Sequence, residues 1–260
     1  MEKNIEFKKS LGQNFIFDRN LLTAIAKDGG LGKDDVVLEI GAGAGTLTDV
    51  LADIAKEVIA FEIDTSLKPY LDKVQEKHDN LKIIYQDFMK ADITTFIKSK
   101  AKVIANIPYY ITTPIVFKLV DHIDMFDGIL ILVQKEVAIR FASPAKCKDY
   151  GITSVILQSI FDVDIPRIVK KECFTPAPKV DSALCRLIPH NRYNISDFSD
   201  FKDFVHLAFS MRRKTLVNNL KTKYDKDFLT NKLNELGLDE RVRPEDVTVE
   251  NYIKLFNFLK

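Results

Sequence analysis

Between Val36 and about Pro189, short apolar runs rich in β-branched residues alternate with helix-length amphipathic segments. The runs are Val36-Val37-Leu38-Glu39-Ile40, Val58 to Ile63, Lys82 to Tyr85, Val103 to Ala105 and Ile129 to Val133. Their nearly continuous hydrophobicity predicts strands covered on both faces, paired in parallel in a doubly wound α/β sheet. A helix is predicted from Thr46 to about Ala55. Another runs from Arg19 to about Lys27, capped by Asp18 and stopped at Gly29-Gly30. The segment Lys8 to Phe17 enters that helix as an irregular arm. After Pro189 the chain turns polar and helical, with Phe201, Phe204, Val205, Ala208 and Phe209 at helical spacing, then Leu216 and Leu220, then Leu229, Leu233 and Leu236. Two domains are expected: residues 1–189 with the arm and the sheet, and residues 190–260, small and all-helical.

Composition narrows the class. With 260 residues, 46% of them hydrophobic, the chain can bury a sizeable core. Apolar runs such as Gly128 to Val133 are too short for a bilayer, and Met1 to Glu6 lacks the build of a secretory signal, so a cytoplasmic, non-membrane protein is expected. Cys147, Cys173 and Cys185 form no C-x-x-C pair and have no histidine at ligand spacing, which argues against a zinc site or a disulfide framework and leaves all three structural. A net charge of +1 excludes binding nucleic acid by bulk charge, so any such contact must be local. The densest basic stretch is Arg212-Arg213-Lys214 followed by Lys221, Lys223 and Lys226; a run of this kind also serves as an ordinary solvated helix face.

The turn Gly41-Ala42-Gly43-Ala44-Gly45 lies between the first strand and a helix, where glycine lets the backbone approach a ligand. At the end of the second strand, twenty-one residues after Gly41, stands Glu62, a carboxylate able to accept both hydroxyls of a ribose. Together they indicate an adenosine-type cofactor, NAD or S-adenosylmethionine. A dinucleotide fingerprint would need Gly or Ala where Thr46 stands, which favours S-adenosylmethionine. After the third strand comes Gln86-Asp87-Phe88; Asp87 can accept an adenine amino group while Phe88 lies against the ring.

The fourth strand ends in Asn106-Ile107-Pro108-Tyr109, the sharpest signal in the chain. This N/D-P/I/L-P-Y/F form belongs to methyltransferases acting on exocyclic amines. The lone pair of such an amine is delocalised into the ring, so acceptors must hold its protons before the nitrogen attacks. The Asn106 side-chain oxygen and the Ile107 carbonyl can do so, Pro108 stiffens the peptide, and Tyr109 can stack on an extruded base. A neutral asparagine also suits two successive transfers, since it clamps the amine less tightly than a carboxylate.

From about Lys9 to Phe258 the chain resembles the KsgA ribosomal RNA adenine dimethyltransferases. The matching blocks are Lys9 to Phe15, Glu39 to Thr48, Gln86-Asp87, Asn106 to Pro114, Gln134 to Ala138, Phe174 to Ala183 and Arg212 to Leu216. The resemblance implies a Rossmann-like S-adenosylmethionine methyltransferase sheet followed by a helical RNA- or ribosome-binding domain. It implies cofactor contacts from Gln13, Asn14, the backbone near Ile16, Gly41, Glu62, Ile63, Asp87, Phe88 and Asn106, with the arm as a lid. It also implies that Phe174 faces Tyr109 across the target adenine, forming with Asn106 and Tyr109 the catalytic set. The implied substrate is a pair of adjacent adenosines in a 3′-end hairpin loop of small-subunit ribosomal RNA, met in an assembling subunit by a monomeric enzyme without a metal. The related Erm group, which modifies one adenosine of large-subunit RNA and confers macrolide resistance, shares the Asn106 motif. Near-neutral charge, Tyr150-Gly151 and the Arg212 block favour KsgA. A non-enzymatic ribosome assembly factor would have no need of Asn106 and Tyr109. An oxidoreductase would need a hydride-handling array that the chain lacks.

Overall fold

All five apolar runs form strands in the computed structural model, which describes residues 7–8, 11–211 and 213–260. Lys9, Ser10 and Arg212, named above in two of the matching blocks, lie outside the described residues. The strands are β1 (Phe15–Ile16), β2 (Val36–Ile40), β3 (Glu57–Glu62), β4 (Leu81–Tyr85), β5 (Ala101–Asn106), β6 (Phe126–Gln134), β7 (Phe161–Val169), β8 (Phe174–Thr175) and β9 (Ser182–Pro189). The helices are α1 (Arg19–Asp28), α2 (Thr46–Ile54), α3 (Lys68–Gln75), α4 (Thr112–Val120), α5 (Lys135–Ala142), α6 (Ile152–Gln158), α7 (Phe198–Ala208), α8 (Leu216–Leu220), α9 (Lys226–Glu235) and α10 (Val249–Phe258).

Seven strands make one sheet in the order β4-β3-β2-β5-β6-β9-β7. The pairs β4/β3, β3/β2, β2/β5 and β5/β6 are parallel, and β6/β9 is antiparallel. Val37, Leu38, Ile59, Ala60, Val103, Ile104, Leu130 and Ile131 are all 2% exposed or less, as the apolar runs require. Asp18 caps α1 by accepting from the Asn20 and Leu21 amides. The arm is less irregular than its sequence suggests. Phe15 and Ile16 form β1, paired antiparallel with Thr175 and Phe174 of β8 in a separate two-stranded sheet. A two-residue strand leaves no periodic signal, and its partner is far away in the chain.

The chain divides into two compact units, residues 1–138 with 164–189, and residues 139–163 with 190–260. The expected boundary at residue 189 is thus corrected: residues 139–163 belong with the C-terminal helices. The reason is packing. The Tyr150 hydroxyl donates to the Val247 carbonyl at 2.9 Å, its ring meets Phe209 at 6.5 Å, and the Lys146 amide donates to the Glu245 carbonyl at 2.8 Å. Around them Phe201, Phe204, Tyr252 and Phe256 form a buried aromatic cluster. Cys185 is buried, whereas Cys147 and Cys173 are exposed, so a structural role fits Cys185 alone. Among the described residues no helix is long and apolar enough to cross a membrane.

Candidate active site

The strand order reverses between β2 and β5. From β2 the sheet steps to β3 and β4; from β5 it steps the other way to β6. Outside the carboxyl ends of strands at such a reversal lies the crevice where α/β sheets bind ligands. Gly41 follows β2 and Asn106 ends β5, and a Cβ on Gly41 would lie 3.7 Å from the Asn106 carbonyl oxygen. A cavity fills this crevice. Its walls are the arm from Leu11 to Ile16, the glycine turn, the ends of β3 and β4, and residues Ala105 to Ile111.

One end of the cavity is acidic. Glu62 is 6% exposed, and its two oxygens accept from the Gly43 and Asp64 amides, each at 2.7 Å. Burial raises its pKa in spite of these bonds and of a further one from the Ile63 backbone. Glu39, 1% exposed, also lines the cavity, and its Oε2 has no hydrogen-bond partner. Burial and the charge of Glu62 push it up to about 8. Sequence reasoning missed Glu39 as a functional group; the available signal was a carboxylate inside an otherwise apolar strand, which has no place in a core unless something pairs with it.

Two glycines of the turn do different work. Gly41, at φ +80°, presents bare backbone to the cavity. Gly43, at φ +59°, makes room for the arm, since a Cβ there would come within 2.6 Å of the Phe15 ring. The arm is tied down next to Glu62. Asp64, with a side chain 2% exposed, accepts from the Lys8 ammonium at 2.6 Å, the Gln13 amide at 2.8 Å and the Ser66 hydroxyl at 2.6 Å. Burial opposes ionisation of Asp64, but these donors outweigh it and hold the carboxyl at about 2. Gln13 therefore lines the cavity while its amide is spent within the protein, its oxygen accepting the Lys8 amide at 2.8 Å. Asn14 and Ile16 also line the cavity, with the Asn14 side chain donating to the Gly12 carbonyl at 3.1 Å.

Beyond Glu62, Ile63 is 54% exposed at the cavity, an apolar surface wide enough for a ring. Asp87 lines the cavity and also caps a short 3₁₀ turn by accepting the Met89 amide at 2.9 Å on one oxygen, while its other oxygen lies 3.9 Å from the exposed Lys90 ammonium. Phe88 is a buried wall residue set edge-on to Phe61 at 5.4 Å, with the Lys118 ammonium 5.1 Å from its ring centre.

Another part of the wall is neutral. The Asn106 amide nitrogen donates to the Asn14 carbonyl at 2.9 Å, which orients the side chain and leaves Oδ1 unspent. Ile107 is 1% exposed and anchors the peptide in the core, and Pro108 holds φ at −59°. Tyr109 is half-buried, and its hydroxyl shares a 2.6 Å hydrogen bond with Ser182 at the start of β9. Burial raises the pKa of this phenol, so it stays neutral. The tether to Ser182 spans 73 positions and has no local sequence signal.

Phe174 does not join this set. It is 4% exposed, packs in the core with Phe15 and Ile16, and is absent from the cavity walls. Its backbone in β8 pairs antiparallel with β1 of the arm. Its register partner Ile16 lines the cavity, so Phe174 stands one strand away.

A sequence model of the family described as ribosomal RNA adenine dimethylase matches residues 4–260. A Clostridium acetobutylicum protein named ribosomal RNA small subunit methyltransferase A is 39% identical over 257 residues, 97% of this chain and 93% of that one. The Listeria welshimeri protein of the same name is 40% identical over 267 residues, 97% of this chain and 90% of that one. Among solved structures, a dimethyladenosine transferase from Plasmodium falciparum superposes with a TM-score of 0.81 at 27% identity, covering 93% of this chain and 95% of that one. The 23S rRNA methyltransferase ErmE superposes with a TM-score of 0.76 at 28% identity, covering 95% and 99%.

Proposed function

The chain belongs to the ribosomal RNA adenine dimethylase family, and we propose that it dimethylates N6 of two adjacent adenosines in a 3′-end hairpin loop of small-subunit RNA. It is a methyltransferase dependent on S-adenosylmethionine, built on the α/β sheet of that enzyme class. The choice of subunit rests on the relatives named for the small subunit, which match 97% of the chain. The chemistry rests on one observation: Asn106 gives its nitrogen to Asn14 and keeps its oxygen for an incoming amine.

The side chains present fit the cofactor. The Glu39 carboxyl, whose Oε2 has no hydrogen-bond partner, suits its ammonium, Glu62 the ribose hydroxyls, Asp87 the adenine amino group, and Ile63 and Phe88 the faces of that ring. When bound, S-adenosylmethionine supplies a sulfonium methyl reactive enough that the protein needs no strong base. The protein's part is then position. Asn106 Oδ1 and the Ile107 carbonyl accept the N6 protons and draw the nitrogen toward a tetrahedral geometry, while Tyr109, fixed by Ser182, takes the base on its ring. After one transfer a single N6 proton remains, and the other acceptor site must admit a methyl. Phe174, 4% exposed beside the arm, is the proposed second wall of the base pocket, on the family resemblance.

With a net charge of +1, recognition draws on the shape of an assembling subunit together with a local basic run; Arg213, Lys214, Lys221, Lys223 and Lys226 are all exposed. A monomer acting in the cytoplasm fits that task. Labelled S-adenosylmethionine should mark unmodified small subunits at two adjacent adenosines and leave large-subunit RNA unlabelled. Label in large-subunit RNA alone would move the assignment to the Erm-type reaction.

A further inference from the structure

Tyr109 and Tyr110 are consecutive on the 3₁₀ turn Tyr109–Ile111, yet they meet different surroundings. Tyr109 is half-buried and tethered, whereas Tyr110 is 64% exposed at the mouth of the cavity, more than any other large apolar side chain among the described residues. A base laid on this ring would cover apolar surface that now meets water. A Cβ on Gly12 would lie 3.3 Å from Tyr110 Cδ1 and 3.5 Å from Cε1, so the arm passes beside one edge of the ring. The rest of the ring is open.

A nucleotide drawn into a pocket leaves its neighbour on the strand at the rim, with one face stripped of its stacking partner. An aromatic ring at that rim restores the stack with any base, because every base has a π-face. We propose that Tyr110 is a second stacking platform, which takes the base next to the target adenine on the same RNA strand. The proposal rests on the RNA methyltransferase reading above. With adjacent target adenosines, the base held on Tyr110 is the other target. Tyr109 and Tyr110 then receive successive nucleotides of the strand, one inside the cavity and one at its edge.

Steady-state methylation of unmodified small subunits tests this. Tyr110→Ala should raise KM for the subunit about tenfold, the scale of one lost base stack, with kcat held within about threefold. Tyr110→Phe should behave as wild type. The chain contains no tryptophan, so Tyr110→Trp introduces a single fluorophore whose emission an RNA hairpin with adjacent adenosines should quench. Unchanged KM in Tyr110→Ala, equal losses in the Ala and Phe variants, or emission indifferent to the hairpin would overturn the proposal. Quenching by whole subunits but not by the hairpin would also overturn it, by assigning the ring to a ribosomal protein. A wild-type protein that methylates neither subunit would be a failure of the functional reading, and the quenching by RNA would still decide the role of Tyr110.

Discussion

The two ends of the cavity solve opposite problems with opposite chemistry. Around Glu62, Glu39 and Glu62 are buried carboxylates and Asp64 is a third immediately behind them. At the far end, Asn106, the Ile107 carbonyl and the Tyr109 phenol are all neutral. The acidic end suits a ligand that carries positive charge and should be held firmly, and burial strengthens each attraction there. The neutral end suits a base that must enter, lose a proton, and enter again with a methyl in place. Fixed charge at that end would bind one state of the amine too well. Dipoles held by the surrounding structure orient the nitrogen and still release it.

The largest effect should come from the neutral end. Asn106→Ala should lower methyl transfer about 10²- to 10³-fold, the scale of a lost orienting contact at a reaction centre. Cofactor affinity should fall only a few-fold, because the tether to the Asn14 carbonyl goes with the side chain. Calorimetry and labelled-methyl incorporation read the two quantities separately. Wild-type turnover in that variant would place amine recognition elsewhere. At the acidic end the split should reverse. Glu62→Gln should weaken cofactor binding about 10- to 100-fold, as the loss of charge-assisted bonds implies, with kcat at saturation nearly kept.

Glu39 gives this end a pH signature. In the free protein its carboxyl is pushed up to about 8, chiefly by burial, from an ordinary 4.5. A cationic ligand requires the ionised form, so binding expels a proton below that pH. Affinity should therefore climb as pH rises toward 8, by at most about tenfold per unit, and level off above it. The unliganded fold responds in the opposite sense. Because the folded pKa exceeds the unfolded one, the folded state binds more protons between about 4.5 and 8, and stability falls with rising pH across that window. Glu39→Gln should flatten both profiles; a binding profile that kept its slope would remove Glu39 from the cofactor site.

The parts of the site that could be read from the chain are those carried by strand ends. Gly41, Glu62, Asp87 and Asn106 each follow or end an apolar run, and the parallel pairing of β4, β3, β2 and β5 brings all four to one edge. Local periodicity and a topological rule suffice for them. What could not be read depends on long-range contacts. The β1/β8 pair that buries Phe174, the bond from Ser182 to Tyr109, and the capture of residues 139–163 by Phe209 and Val247 join segments far apart in sequence. Gln13 illustrates the difference: the motif puts it beside the cofactor, which is right for its place in the cavity wall, but only the fold reveals that its amide serves Asp64.

Asp64 should give the smallest effect and the most discriminating one, since it belongs to the acidic end without facing the ligand as Glu39 and Glu62 do. Its bonds to Lys8 and Gln13 hold one side of the arm, while Asn106 holds the other through Asn14. Asp64→Ala should weaken cofactor binding about three- to tenfold, as expected for two or three lost hydrogen bonds to a lid, leave kcat unchanged, and expose residues near Leu11 to limited proteolysis. Lys8 is 41% exposed, so its share should be screened by salt, whereas that of Gln13 should not. Lys8→Ala should then resemble wild type in high salt, and Gln13→Ala should remain impaired. If Asp64→Ala instead lost affinity as severely as Glu62→Gln, with the arm still protected from proteolysis, the carboxylate would be acting on the ligand itself. The acidic end would then hold its cation with three charges, and the arm would be fastened by Asn106 and by the pairing of β1 with β8.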